Sequence, residues 1–190
     1  MNKLILKDYF DKVNIIALAE THHGEHFDVI NDFLDKFMPH LNGIFVELPV
    51  DYQSSINNYI ETGKVDETLE DFFMGAHKEG NEIRGWLEIF DKIKRNKKMV
   101  ICIDSSKIQT NEYRKKSDEG YYFLRGDSRE EDMFFNLKNY YMKHIGKYLL
   151  IAGASHIRKE GHLYAGGKNN LGNRLSQFFG DKYDSVILNS

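Results

Sequence analysis

The feature that most constrains this chain is a set of short, almost unbroken apolar runs. They are "VNIIALAE" (Val13–Glu20), "GIFVELP" (Gly43–Pro49), "KMVICIDS" (Lys98–Ser105) and "YLLIAGASH" (Tyr148–His156), with "DSVILN" as a fifth near the end of the chain. A strand with one wet face alternates apolar and polar residues, and these runs do not. Continuous apolar runs fit strands covered on both faces, the pattern of a parallel sheet between helical layers.

Helical spacing fills the gaps between the runs. "HFDVINDFLDKFM" puts Phe27, Ile30, Phe33, Leu34 and Phe37 on one face. "IRGWLEIFDKI" does so with Ile83, Trp86, Leu87, Phe90 and Ile93, and "EEDMFFNLKNYYMKHI" with Met133, Phe134, Leu137, Tyr140, Tyr141 and Ile145. "NNLGNRLSQFFG" reads as a shorter helix ending at Gly180. Trp86, Phe90, Leu137 and Tyr141 are the predicted core members of these faces. Strand and helix alternate, so the pattern predicts one α/β domain over 1–190, with a mainly parallel sheet of about five strands flanked by helices. "YQSSINNYIET" and "DETLEDFFMGAHKE" predict a helical flank or lid over about 51–80, and the polar stretch over about 106–128 reads as a long loop. No internal repeat or interdomain linker is visible.

Composition excludes several classes of function. The net charge of -3 and the lack of a basic block argue against nucleic acid, and "KIKRNKK" (Lys92–Lys98) reads as the solvated end of a helix. Cys102 is the one cysteine, which excludes an intramolecular disulfide and a multi-cysteine metal site. "MNKLILKDYFDK" has too few consecutive apolar residues for a signal peptide, and no stretch approaches the ~20 residues of a membrane span. The expectation is a cytoplasmic protein with no membrane or nucleic-acid partner. The pattern says nothing of its oligomeric state.

Open parallel sheets bind ligands beyond the carboxyl ends of their strands, so the residue closing each run matters. The first run ends in Glu20 and leads into "THHGEH", the second carries Glu47, the third ends in Asp104 and the fourth in Ser155-His156. A carboxylate left dry at a strand end costs several kcal/mol unless it is paired. Four runs delivering ionisable groups to one edge therefore predict an active site there. His22 reads as a surface residue, whereas His23 and His26 share a helical spacing that could bring both to the site. "GASHI" is not a G-x-S-x-G elbow, because Ile157 stands where the second glycine belongs, so Ser155 is not read as a nucleophile. "HHGEH" is not H-E-x-x-H. No metal ligand set is assigned; the alternative is a divalent metal held by His23, His26 and His156 with Glu20 or Glu47. A second alternative is haem, ligated by histidines or by tyrosines of the pairs Tyr121-Tyr122 and Tyr140-Tyr141.

Six segments, in order, resemble the erythromycin esterase-like family. "LAETHHGEHF" resembles its G-E-x-T-H-G-x-x-E-F motif, and "GIFVELP" its second, glutamate-bearing strand. "GWLEIFDKIKRNKKMVICIDS" resembles its tryptophan-bearing helix and the strand after it. "SREEDMFFNLKNYY" resembles R-D-x-x-M-x-x-N, "LLIAGASHI" the strand ending in A-H-N-x-H, and "NNLGNRLSQFFGDKYDSVIL" the closing helix and strand. Ala19, Gly153, Ala154 and Glu130 depart from the family pattern. "GASH" is closer to the G-x-x-H motif of the wider superfamily that includes haem-binding ChaN-like proteins and TIKI-type proteases.

The resemblance implies hydrolysis of an ester, lactone or related acyl bond in a small molecule, with no resident cofactor and no serine nucleophile. Beside the haem- or metal-binding alternative stands a catalytically silent relative that keeps only the scaffold. Matched residue by residue, it implies His23 as the base that activates water, assisted by Glu47 and His156, with Glu20 and Arg129 at further polar positions. A neutral histidine has the right basicity for this at neutral pH. Arg129 would anchor developing charge, and His26 and Asp104 would contact substrate.

Overall fold

The computed structural model describes residues 11–20, 26–75, 80–118, 122–160 and 169–187. Four of the apolar runs contain a strand and the fifth overlaps one: β1 Ile15–Glu20, β2 Gly43–Pro49, β3 Met99–Asp104, β4 Tyr148–Gly153 and β5 Tyr183–Val186. They form one all-parallel sheet in the order β3-β2-β4-β1-β5. The helices are α1 Phe27–Phe37, α2 Gln53–Thr62, α3 Glu67–Gly75, α4 Gly80–Arg95, α5 Lys107–Asp118, α6 Tyr122–Lys143, the single turn α7 Ala154–Ile157, and α8 Leu171–Phe179. The α/β class and the parallel sheet read from the sequence are those observed.

The alternation of side chains along each strand divides the core in two. Ile16, Leu18, Ile44, Val46, Leu48, Val100, Cys102, Leu149 and Ile151 face α1, α2, α3 and α4. Ile15, Ala17, Ala19, Phe45, Ile101, Ile103, Leu150 and Ala152 face α6, α7 and α8. Both faces are apolar, which is why the runs do not alternate. Trp86, Phe90, Leu137 and Tyr141 are all buried, as their helical faces predict. Cys102 is buried as well, and burial together with Asp104 pushes its thiol up to about 12, so it is no nucleophile at neutral pH.

The order of the strands locates the functional edge. Chain leaving β1 and β2 steps toward β3 with its helices on one face. Chain leaving β3 and β4 steps back toward β5 with its helices on the other. Reversing the direction of travel at constant crossover handedness moves the helices to the opposite face. The carboxyl end of β4 therefore turns one way while those of its neighbours β1 and β2 turn the other. Such a switch opens a crevice at that edge.

Two expectations change. The stretch 106–128, read as a loop, is largely helical, with α5 followed by a much longer α6. The sequence of α5, "KIQTNEYRKKSD", is rich in helix-forming residues, and Ile108 is 73% exposed. A helix that is polar nearly all round has no apolar stripe for periodicity to detect. Because α6 starts at Tyr122, Arg129 sits about two turns inside a helix, where the sequence pattern suggests a helix start. Over 53–62, α2 packs on the sheet, burying Ile56 and Tyr59. Its Gln53 side chain donates to the Val100 carbonyl (2.8 Å) and accepts from the Cys102 N–H (2.8 Å), covering the outer edge of β3. Among the described residues, no helix is long and apolar enough to cross a membrane.

Candidate functional site

At the carboxyl edge, five ionisable side chains form one hydrogen-bonded cluster. Glu47 comes from β2, Asp104 closes β3, His156 lies in α7 just past β4, and Arg129 and Glu130 come from α6. Glu47 stands two residues beyond Phe45 on β2, so it shares the face that α6 covers.

Arg129 is the hub. Its Nε and Nη2 donate to Asp104 Oδ1 (2.8 Å) and Oδ2 (2.7 Å), a bidentate fork. Nη2 also donates to Glu47 Oε1 (2.7 Å), and Nη1 lies 3.4 Å from His156 Nε2. Asp104 Oδ1 accepts the Ser105 N–H as well (2.8 Å). Glu47 Oε2 accepts the Gly153 N–H (2.7 Å), and Glu47 Oε1 lies 3.2 Å from His156 Nε2. On the far side of the ring, His156 Nδ1 bonds Glu130 Oε1, and Glu130 Oε2 accepts the Leu171 N–H at the start of α8 (2.7 Å). A Cβ on Gly153 would lie 3.3 Å from both Glu47 Oε2 and His156 Cδ2, so glycine there lets the two side chains close over the end of β4.

Water reaches the members unequally. Side-chain exposure falls from 23% at Arg129 through 12% at His156 and 10% at Glu47 to 1% at Glu130. Arg129, His156 and Glu47 are thus the more accessible members of the cluster, and Glu130 lies deepest. Electrostatics set the protonation states. Burial pushes the Glu47 carboxyl up, but His156 and Arg129 outweigh it and bring the group down to about 2. Burial disfavours the charged form of His156, yet Glu47 and Glu130 overcome that and hold its pKa above the ordinary histidine value. Burial raises the Glu130 carboxyl against the pull of His156. The arrangement is an ionised Glu47, a fixed guanidinium and an imidazole that favours its protonated form.

The structure brings together Glu47, Asp104, Arg129 and His156 of the residues singled out by sequence. Glu20 ends β1 in register with Gly153 of β4, which places its backbone beside the cluster. His23 lies outside the described residues. His26 precedes α1 and is buried, and its Nδ1 has no hydrogen-bond partner among the described residues. The sequence reading gives Asp104 a contact with substrate, but both its oxygens accept from Arg129 and it is 4% exposed. Tyr140 and Tyr141 are far from this edge. They pack on Tyr148 at the amino end of β4, where Tyr140 Oη donates to Met99 Sδ and Tyr141 Oη accepts from Asn14.

Glu130 is the member that sequence reasoning missed. Its signal was present: it precedes Met133, Leu137 and Tyr141 at helical spacing, so it is an acid on the buried stripe of α6. Asn170 was missed as well. It is fully buried, caps α8 by accepting the Asn173 N–H (3.0 Å), and donates to the carbonyls of Ser155 (2.8 Å) and Arg158 (3.0 Å). It thereby ties the His156 turn to the helix that holds Glu130.

Fold and site together define a parallel α/β protein with a buried ionisable cluster at the strand carboxyl ends. No protein-family model matches the chain, and no curated protein does, so the erythromycin esterase-like resemblance rests on its motifs alone. Solved structures share the fold. A Bacillus cereus protein is 16% identical with a TM-score of 0.70, over 96% of this chain and 67% of that one. A succinoglycan biosynthesis protein is 14% identical with a TM-score of 0.71, over 95% and 67%. ChaN of Campylobacter jejuni, whose structure is described with cofacially bound haem, is 13% identical with a TM-score of 0.58, over 98% and 85%. At these identities the likeness establishes the fold and leaves function to the site.

Proposed function

We propose that this edge is a hydrolytic centre that cleaves an ester, lactone or related acyl bond of a small molecule. The observation that carries the proposal is the corner where the Arg129 guanidinium, His156 Nε2 and ionised Glu47 converge: Nη1 lies 3.4 Å from Nε2, Nη2 lies 2.7 Å from Glu47 Oε1, and Nε2 lies 3.2 Å from that same oxygen. A sheet needs no such corner for stability, and buried ion clusters of this kind are poor sources of it.

The proposed base is His23, three residues beyond Glu20, a span of at most about 10 Å. A neutral His23 would take a proton from water as the oxygen attacks the acyl carbon. The oxyanion that forms is met by the Arg129 guanidinium and the His156 imidazolium. His156 then gives its Nε2 proton to the leaving oxygen, and Glu47 keeps that imidazolium favourable until transfer. Asp104 serves by holding Arg129 in place, and His26 is a proposed neighbour of the substrate. No covalent intermediate is required. The testing experiment is a panel of p-nitrophenyl esters, aliphatic lactones and anilides, assayed with the whole chain and with His156→Asn. Turnover by the parent chain that falls by about 10²–10⁴ in the variant supports the proposal, and rates equal to buffer across the panel would reject it.

Haem or a divalent metal is the rival reading, favoured by the fold shared with ChaN. The described donors do not suit it. Both ring nitrogens of His156, both oxygens of Glu47 and both oxygens of Asp104 already have partners. Arg129 supplies the positive charge that a metal would bring. Tyr140 and Tyr141 point into contacts at the opposite end of the sheet, whereas Tyr121, His23 and the side chains of Tyr122 and Glu20, the other donors named for haem or metal, lie outside the described residues. Among the described residues, no three His, Cys, Asp or Glu side chains are grouped to hold a metal ion.

A further inference from the structure

We propose that Glu130 is a positioning residue that dictates which nitrogen of His156 faces the substrate. Its two oxygens do different jobs. Oε2 accepts the Leu171 N–H, a donor that cannot rotate away because it belongs to the first turn of α8. Oε1 is thereby aimed at His156 Nδ1. Ionised Glu130 can only accept there, so at a pH where Glu130 is a carboxylate Nδ1 carries the hydrogen. Glu47 Oε1 makes the same demand of Nε2 at 3.2 Å, so the imidazolium, with both nitrogens protonated, satisfies both carboxylates; in the neutral ring Arg129 Nη1, a donor 3.4 Å from Nε2, leaves Nε2 as the bare nitrogen. Glu130 is 1% exposed and sits behind the ring, so it reaches the reaction only through His156.

The idea is anchored on both sides. Asn170 holds α8 against the His156 turn through Ser155 and Arg158, so Leu171 and His156 keep a fixed separation. Glu130 fills that separation from a third element, α6. Glu47, Arg129 and Glu130 are the charged groups that face the ring among the described residues. Of these, only Glu130 contacts Nδ1.

The test uses Glu130→Gln, which keeps the size but not the symmetry of the carboxylate. The Leu171 N–H retains the amide oxygen, because it can pair with nothing but an acceptor. The amide NH2 is then left facing Nδ1, which must become the acceptor, and the neutral ring switches to the Nε2–H tautomer. Histidine side-chain 15N NMR of the whole chain reads this directly. The parent protein at a pH where His156 is neutral should show a protonated Nδ1 and a bare Nε2, and Glu130→Gln should show the reverse. A lower titration midpoint of His156 is expected in the variant, because a carboxylate has been lost beside the imidazolium. An Nε2–H ring in the parent protein would overturn the proposal without any variant being made. An unchanged tautomer and midpoint in a folded Glu130→Gln protein would overturn it as well.

The role assigned to the ring rests on the hydrolytic reading above, but the NMR result does not. If tautomers switch as expected while the parent chain hydrolyses nothing, positioning stands and the hydrolytic reading falls. If hydrolysis is confirmed, Glu130→Gln should lower kcat by up to about 10²–10⁴ with little change in KM, because the imidazolium that gives Nε2–H to the leaving oxygen has lost a carboxylate that favours it.

Discussion

The two ends of the sheet close in opposite ways. At the amino end the more buried groups that seal the strands are neutral and bond to backbone or to each other, and the ion pair there, Lys147 with Asp11 (3.3 Å), lies toward the surface. Tyr148 Oη donates to the His144 carbonyl (2.7 Å), Asn42 accepts the Lys147 N–H (2.8 Å), and Asn14 donates to Tyr141 Oη (2.7 Å). At the carboxyl end, three carboxylates, a guanidinium and an imidazole share the same kind of buried position. The amino end shows that this sheet can be finished with uncharged side chains, each worth about 1 kcal/mol. The ions at the other end therefore answer a different demand, and they stay buried only because each has a partner.

The contrast breaks most visibly at Arg129. Arg129→Leu leaves Glu47 and Asp104 buried without their cation, and the expected loss is about 3–5 kcal/mol in urea unfolding. Replacing Arg129 and Asp104 together by leucine should recover part of that loss, since an apolar pair is often as stable as the ion pair it replaces while Glu47 keeps only His156 as a cationic partner. A single substitution that leaves stability unchanged would show that the cluster is wetter than its burial indicates.

Next in size is the pH profile of stability. The pKa of Glu47 is lowered to about 2 from 4.5, so its contribution is complete above about pH 4.5 and is lost as pH falls toward 2. The pKa of His156 is raised, so its contribution is complete below the unfolded value of about 6.5 and is lost as pH climbs through the folded value. Glu130 is raised too and adds to the decline on the alkaline side, starting above the unfolded carboxylate value. Stability measured by urea unfolding should thus rise on leaving pH 2 and decline across neutrality, and His156→Gln should flatten the alkaline decline.

The smallest effect belongs to the amino end. Tyr148→Phe removes one hydroxyl that donates to a carbonyl, and about 1 kcal/mol should be lost. The shape of the pH profile below pH 9 should not change. A different shape would mean that the two ends are coupled through β4.

These differences also explain what could be read from sequence. The doubly covered strands announce themselves as unbroken apolar runs, and the strand-end carboxylates and His156 stand out because they interrupt or close those runs. The helix α5 escaped because it has almost no apolar stripe to reveal it. Glu130 escaped for the opposite reason: it sits on a strong apolar stripe, where an acid reads as a flaw in the pattern. The pairing of Asp104 with Arg129 could not be read at all, because it joins positions 25 residues apart whose meeting depends on how α6 crosses the sheet.

The most direct test of the account is the rate of acyl hydrolysis by the parent chain and by His156→Asn, on whichever p-nitrophenyl ester or lactone of the panel turns over fastest, with thermal unfolding measured on the same samples. A fall in kcat of about 10²–10⁴ is expected in a variant that still unfolds cooperatively. Full activity in His156→Asn, or no hydrolysis above buffer by the parent chain, would contradict it.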